Sequence, residues 1–152
     1  MDEIEFSCRE FGSLSAPKVY DILRLRAEVF IVEQNCAFLD PDGDDLAALH
    51  ITGCCKGRLL AYARLLPPGI RYPGCSIGRV STSKEVRGTG LGRDLVHFAI
   101  GCSRDYWPNQ PIIIAAQLYL EQFYLDLGFV TESKPFLDDG IMHLLMRLET
   151  AS

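Results

Sequence analysis

The chain has no apolar run approaching the roughly 20 residues that a membrane-spanning helix needs. It has six cysteines but no C-x-x-C pair: Cys8, Cys36, Cys54, Cys55, Cys75 and Cys102 stand singly or side by side. A zinc site would lack its paired ligands, and no metal is expected. Met1–Glu5 is acidic and carries no apolar stretch, so no secretory signal is expected; reduced thiols in a cytoplasm follow. Positive charge is also scarce. Lys and Arg total 15 against 20 Asp and Glu, a net charge of −5, which disfavours non-specific attraction to nucleic acid. Asp40-Pro41-Asp42-Gly43-Asp44 begins like a calcium loop. Asp45 then stands where that loop needs glycine, and Ile51 where it needs glutamate.

What is present is a soluble globular composition: 48% apolar and 23% charged over 152 residues, enough for a single domain spanning 1–152 with a sizeable core. Ile4 to Phe11 alternates as a strand. Pro17 can open a helix whose apolar spacing continues through Val19, Ile22, Leu23, Leu25, Val29, Phe30 and Val32. Residues 40–45 read as a loop, Leu46 to Thr52 as a strand, Gly53 to Gly57 as a turn, and Arg58 to Leu66 as the partner strand of a hairpin. Cys75 to Thr82 is another strand, followed by a glycine loop and a helix to about Arg104. Ile112 to Ala116 is a short buried strand. Leu118 to Leu127 is helical, with Gly128 as its C′ residue. Phe129 to Glu132 and Ile141 to Leu148 close the pattern. The order β-α-β-β-β-α-β-α-β-β predicts an α/β fold: a single mixed β-sheet with helices on both faces.

The glycine loop is Arg87-Gly88-Thr89-Gly90-Leu91-Gly92, and an amphipathic helix starts where it ends. Glycine admits left-handed backbone and close ligand approach, and a helix N-terminus favours anions such as phosphate. No lysine follows the glycines, which excludes the nucleoside-triphosphate loop. The third glycine falls at 92, not 93, which breaks the dinucleotide fingerprint. The remaining pattern, Arg-x-x-Gly-x-Gly, is met by Arg87, Gly90 and Gly92. With Tyr124-Leu125-Asp126-Leu127-Gly128-Phe129 downstream, the chain resembles the GNAT superfamily of acyl-CoA-dependent N-acyltransferases. Further stretches are similar to the ElaA-type subgroup: Leu25-Arg26 with Val29–Gln34, Asp40-x-Asp42-Gly43-x-Asp45, Ala61–Gly69, Ile77–Val80 and Asp138-Asp139-Gly140-Ile141-x-His143.

The resemblance implies acetyl-CoA as co-substrate. It implies that Arg87, Gly88, Thr89, Gly90, Leu91 and Gly92 hold the pyrophosphate. Val80, Ser81 and Thr82 would pair with the pantetheine arm, with the Val80 N–H turned to the thioester carbonyl. Gln117 stands where many members carry a cofactor-binding asparagine, and Tyr124 would protonate the departing thiolate. The base is open. Some relatives carry a glutamate on the strand before the loop, where this chain has Gly74, Cys75, Ser76, Ile77 and Gly78. Glu33, Asp138, Asp139 and His143 remain as candidates, with water as a substitute; histidine's ordinary pKa of about 6.5 suits the task. Tyr124, His143 and Glu33 are therefore the catalytic candidates. Arg26, Arg64 and Arg79 lie inside apolar segments. They imply either an ion-pair network with Glu33 or the aspartates, or an acceptor carrying a carboxylate or phosphate. The acidic clusters at Asp40–Asp45 and Asp138–Asp139 imply instead a cationic amine.

The expected function is N-acetyl transfer from acetyl-CoA to a primary amine of a small molecule or peptide, by direct attack in a ternary complex. No membrane or nucleic-acid partner is expected, and homodimer formation stays open. Two alternatives remain: a non-catalytic acyl-CoA-binding regulatory module, and acyl transfer of the kind performed by acyl-homoserine-lactone makers.

Overall fold

A computed structural model describes residues 3–150. Among them, eight strands form one mixed sheet: β1 (Glu5–Glu10), β2 (Leu49–Cys55), β3 (Arg58–Leu66), β4 (Cys75–Thr82), β5 (Ile112–Gln117), β6 (Val130–Thr131), β7 (Phe136–Asp138) and β8 (Ile141–Leu148). The spatial order is β1-β2-β3-β4-β5-β8-β6, with β7 also paired to β8. Every pairing is antiparallel except β4 with β5. That parallel pair is joined through α2 (Leu91–Tyr106), the crossover such a connection requires.

Side-chain alternation along β3 sets the two layers. Ala61, Ala63 and Leu65 face the main core, where α2 contributes Leu91, Leu95, Val96, Ala99 and Ile100 at helical spacing. Tyr62 faces the other way, against Ile22 and Leu25 of α1 (Ala16–Arg26). A short α3 (Glu121–Asp126) adds Tyr124 to the main core. The mixed sheet with helices on both faces is thus the one expected.

Five expectations need correction. The first helix does not continue at 3.6 residues per turn. It widens into a π-helical segment over Ala27–Glu33, which rotates the helix face. Val32, expected to be buried, is 73% exposed. β2 starts at Leu49 because Asp44–Ala47 forms a 3-10 turn. Gly53 belongs to β2, not to the turn: a Cβ there would lie 3.0 Å from Phe6 and 3.1 Å from Ala61. The turn itself is Lys56-Gly57, both at positive φ, the geometry of a tight hairpin. Finally, the acidic Asp138-Asp139 stretch carries a strand and a turn absent from the expected order. Phe136–Asp138 pairs with Ile141–His143, and Asp139-Gly140, both at positive φ, makes the turn. The strand expected at Phe129–Glu132 shrinks to Val130–Thr131.

The α1 side of β3 holds buried charge beside its apolar packing. Arg26 is buried; its Nε donates to Asp40 Oδ2 at 2.9 Å and its Nη1 to Asp45 Oδ1 at 2.7 Å. Arg64, also buried, grips both oxygens of Asp42 at 2.8 and 2.9 Å. Arg79 donates through Nε to Asp40 Oδ1 at 2.7 Å. The ion-pair network is therefore with the aspartates and not with Glu33. His50 sits beside it. Its Nε2 lies 2.9 Å from the Asp45 carbonyl, which can only accept, so Nε2 carries the proton and Nδ1 accepts from the Tyr62 hydroxyl at 2.6 Å.

Burial alone would raise the carboxyls of Asp42 and Asp45, but hydrogen bonds and charge from Arg64 and Arg26 hold both below the ordinary range. Burial lowers His50. For each of these groups the folded state binds the proton less readily than the unfolded chain. Its stabilisation is present above the unfolded pKa and is lost as pH falls through the folded one. The window runs downward from about 6.5 for His50 and from about 3.9 for the aspartates. Urea unfolding midpoints should therefore decline modestly as pH falls below about 6.5 and steeply below about 4. At neutral pH, Arg26→Ala should cost about 3–5 kcal/mol in the same measurement, because it strands buried carboxylates.

Candidate active site

β4 and β5 pair at only two positions, Cys75 with Ile112 and Ser76 with Ile113. Beyond them the strands part, and a cavity of 320 Å³ lies between Gly78 and Val80 on one side and Ala115 and Gln117 on the other. A bulge accompanies the split. β3 pairs Tyr62 with Ser81 and Arg64 with Gly78, so the single residue Ala63 faces both Arg79 and Val80. Arg79 sits at φ 53, a left-handed value unfavourable for a side chain of its size. Asp40 holds it there from two atoms, Oδ1 at 2.7 Å and the main-chain oxygen at 3.0 Å, and Phe38 covers the guanidinium. The parting of β4 from β5 exposes backbone edge that an extended ligand can join as an added strand.

The glycine loop lies at the C-terminal end of the same strand. Gly88 and Gly90 have φ 80 and 87, so both need glycine. Gly90 is the N-cap of α2 and offers no side chain to its first N–H groups. A Cβ at Gly88, Gly90 or Gly92 would meet nothing of the protein, so the loop is open above the helix end. Thr89 Oγ1 donates to the Val86 carbonyl, pinning the turn. The Leu91 side chain points into the core. Uncapped amides, a helix dipole and no side chains in the way suit a phosphate.

The other candidate residues divide by their contacts. Tyr124, His143 and Gln117 all line the cavity. Tyr124 is buried edge-on between Phe123 and Phe129, and burial pushes its phenol above the ordinary value. His143 pairs with Gln117 in the sheet and stacks on Phe136. Its Nδ1 lies 2.7 Å from the Ile141 carbonyl. A carbonyl only accepts, so Nδ1 carries a proton, which in the neutral ring leaves the lone pair on Nε2. Glu33, the other candidate base, is not among the residues lining the cavity. Arg87 donates to both of its oxygens, at 2.7 and 3.0 Å. Arg87 also donates to the Thr82 carbonyl at 3.0 Å. Gln117 forms a reciprocal amide pair with Gln34 at 3.1 and 3.2 Å. The Asp40–Asp45 carboxylates named above are held by arginines, which removes them as a landing site for a cationic amine. Among the described residues no cluster of His, Cys, Asp and Glu could hold a metal, and no helix is long and apolar enough to cross a membrane.

Comparison with known proteins agrees with this geometry. Residues 55–150 match the family model described as the acetyltransferase (GNAT) domain. The chain belongs to the GNAT acetyltransferase family. Protein ElaA of Escherichia coli is 37% identical over 148 residues, covering 96% of this chain and 97% of that protein. A UPF0039 protein of Synechocystis is 43% identical over 145 residues, covering 95% and 94%. An acyl-CoA N-acyltransferase from Pseudomonas aeruginosa superposes with a TM-score of 0.92 at 36% identity, covering 96% of this chain and 99% of that one. As a GNAT protein, the chain is an acyl-CoA-dependent N-acyltransferase.

Several residues of this GNAT cavity carry no role in the sequence reading. Gln34 was visible only as part of a matching stretch; its pairing with Gln117 needs the π-widened turn. Arg71 and Tyr72 lie between Pro67-Pro68-Gly69 and Pro73-Gly74, and both line the cavity. A basic and an aromatic residue in a proline-rich connection was the available signal. For the loop, the expected outcome of Gly90→Ala is a loss of about 1–2 kcal/mol in stability from the left-handed φ. CoA binding by calorimetry should weaken at least as much, because the strained loop redirects its amides.

Proposed function

We propose that the chain is a single domain that transfers an acetyl group from acetyl-CoA to a primary amine of a small molecule or peptide, by direct attack in a ternary complex. The observation that carries this reading is the meeting of three things in one cavity: the free edge of β4, a histidine with an unengaged Nε2, and a buried tyrosine kept protonated. An amine arrives as an ammonium and must lose a proton before its lone pair attacks. His143 Nε2 takes that proton. As the new N–C bond forms, the main-chain N–H of Val80 faces the oxygen that gains charge. When the C–S bond breaks, the Tyr124 hydroxyl gives its proton to the sulfur, the nitrogen releases its second surplus proton to water, and solvent restores both side chains.

The remaining residues hold the donor. Val80, Ser81 and Thr82 supply the strand edge. Arg87 through Gly92 cradle the pyrophosphate, with Arg87 exchanging Glu33 for phosphate. Gln117 exchanges Gln34 for the pantetheine arm. Glu33 serves to position Arg87. No cysteine supports a covalent acyl-enzyme. Cys36 lines the cavity, but its thiol donates to the Asp139 carbonyl at 2.9 Å, which is not a base. All six thiols are free, in keeping with a reducing cytoplasm.

Thiol release from acetyl-CoA across an amine panel tests the reading. Tyr124→Phe should lower kcat by about ten- to a hundredfold while the Kd for CoA stays within about twofold, and His143→Ala should lower kcat by about a hundredfold or more. Equal turnover by Tyr124→Phe and wild type on every acceptor would remove the proton-donor role. CoA binding with no thiol release on any amine would favour a non-catalytic binding module.

A further inference from the structure

The charged residues lining the cavity fall into two groups. Asp42, Arg64 and Arg79 neutralise one another, with Asp40 and Asp45 behind them. Arg71, Asp138 and Asp139 also line the cavity and form no ion pair among the described residues. Arg71 comes from the connection between β3 and β4; the two aspartates come from the β7–β8 turn. Positive and negative groups therefore approach the same opening from different elements. Tyr72 lines the wall between them. Burial raises its phenol, the Arg71 charge lowers it and the Asp138 charge raises it, so both charges act on one ring.

Two details extend the positive side inward. Arg64 is 1% exposed, and its Nε–H has no partner among the described residues. Its cross-strand partner is Gly78, and paired residues project to the same face. Gly78 is not at positive φ, and a Cβ there would meet no atom within 4 Å. Neither the backbone nor a neighbouring atom demands glycine at this place; glycine simply leaves the space open. A side chain there would fill the cavity beside a guanidinium that keeps one donor unused. The remaining wall is apolar and aromatic, from Phe30, Phe38, Leu66 and Phe136. At 320 Å³ the cavity sits at the small end of ligand sites, which run from roughly 300 to 1,000 Å³.

We infer that the acceptor is a small zwitterion, an amino-carboxylate of one or two amino-acid residues with an apolar side chain. Asp138 and Asp139 draw its ammonium towards His143, and Arg71 holds its carboxylate on the side of the Gly78 recess. This inference rests on the acyltransferase reading above. It reconciles the two opposite expectations for the acceptor, since the free charges in the cavity are of both signs. A neutral amine would leave Arg71 without a partner, and a bare dianion would meet two carboxylates.

The test compares phenylalanine with phenylalaninamide as acceptors for acetyl-CoA in wild type and Arg71→Ala. The intrinsic reactivity of each amine cancels when the ratio of kcat/KM for acid over amide is itself compared between the two proteins. That ratio should fall about tenfold or more in Arg71→Ala, the loss of one charge-assisted contact. Asp138→Asn with Asp139→Asn should raise KM for both acceptors; asparagine tolerates the left-handed φ at 139. An unchanged ratio in Arg71→Ala overturns the inference, as does wild-type preference for the amide on equal amine basicity. Calorimetry of phenylalanine into CoA-saturated protein supplies an outcome independent of chemistry. Binding that Arg71→Ala abolishes, without turnover, supports the acceptor site while the catalytic reading fails. Absence of binding in wild type overturns the acceptor inference.

Discussion

One residue in an unfavourable conformation organises this molecule. Arg79 occupies left-handed backbone inside a strand, and nothing in its own chemistry favours that. Asp40 holds it by side chain and main chain together. The extra residue that the bulge inserts lies where β4 and β5 separate after two paired positions. From that separation come the free strand edge, the cavity and the approach of Tyr124 and His143 to one space. Arg64 and Arg79 thus line the site as well as belonging to the network that holds the fold. An apolar replacement of the network could keep the chain folded, yet it would leave the bulge without its clamp.

The segment that follows the π-helical turn ties the two halves of the cavity together. Within four residues it makes three long-range contacts: Glu33 with Arg87 of the glycine loop, Gln34 with Gln117 at the end of β5, and Cys36 with the Asp139 carbonyl at the β7–β8 turn. Two of these partners are residues assigned to the cofactor. On the proposed reading, phosphate at Arg87 and an amide partner at Gln117 would compete with side chains of this segment, and donor binding would share contacts with the acceptor side of the cavity. The π widening is what brings Glu33 and Gln34 into reach, and it turns Val32 to solvent in exchange.

Much of this is legible in the sequence because it rests on local chemistry. The glycines at 88 and 90 announce left-handed backbone, and the apolar spacing from Leu91 to Ile100 announces the helix above them. Tyr124 and Gly128-Phe129 mark the second half of the site. What escapes the sequence is non-local. Three arginines in apolar segments imply buried carboxylates, but residues 40 to 45 and Glu33 were equal candidates until the fold brought one set close. A one-residue slip between β3 and β4 leaves no compositional mark, since Ile77-Gly78-Arg79-Val80 reads as ordinary strand. Gly53 illustrates the opposite error. Its glycine suggested a turn, whereas it makes room for Phe6 and Ala61. The Asp139-Gly140 dipeptide did carry a hairpin signal, hidden by the acidic residues around it.

Amide hydrogen exchange with and without CoA tests the central claim most directly, because it reports on the backbone groups that the bulge and the glycine loop leave exposed. The account predicts new protection at Gly90 to Arg93 and along Ile77 to Ser81, with β1 and β2 unchanged. Protection confined to other parts of the chain, or none at saturating CoA, would contradict it.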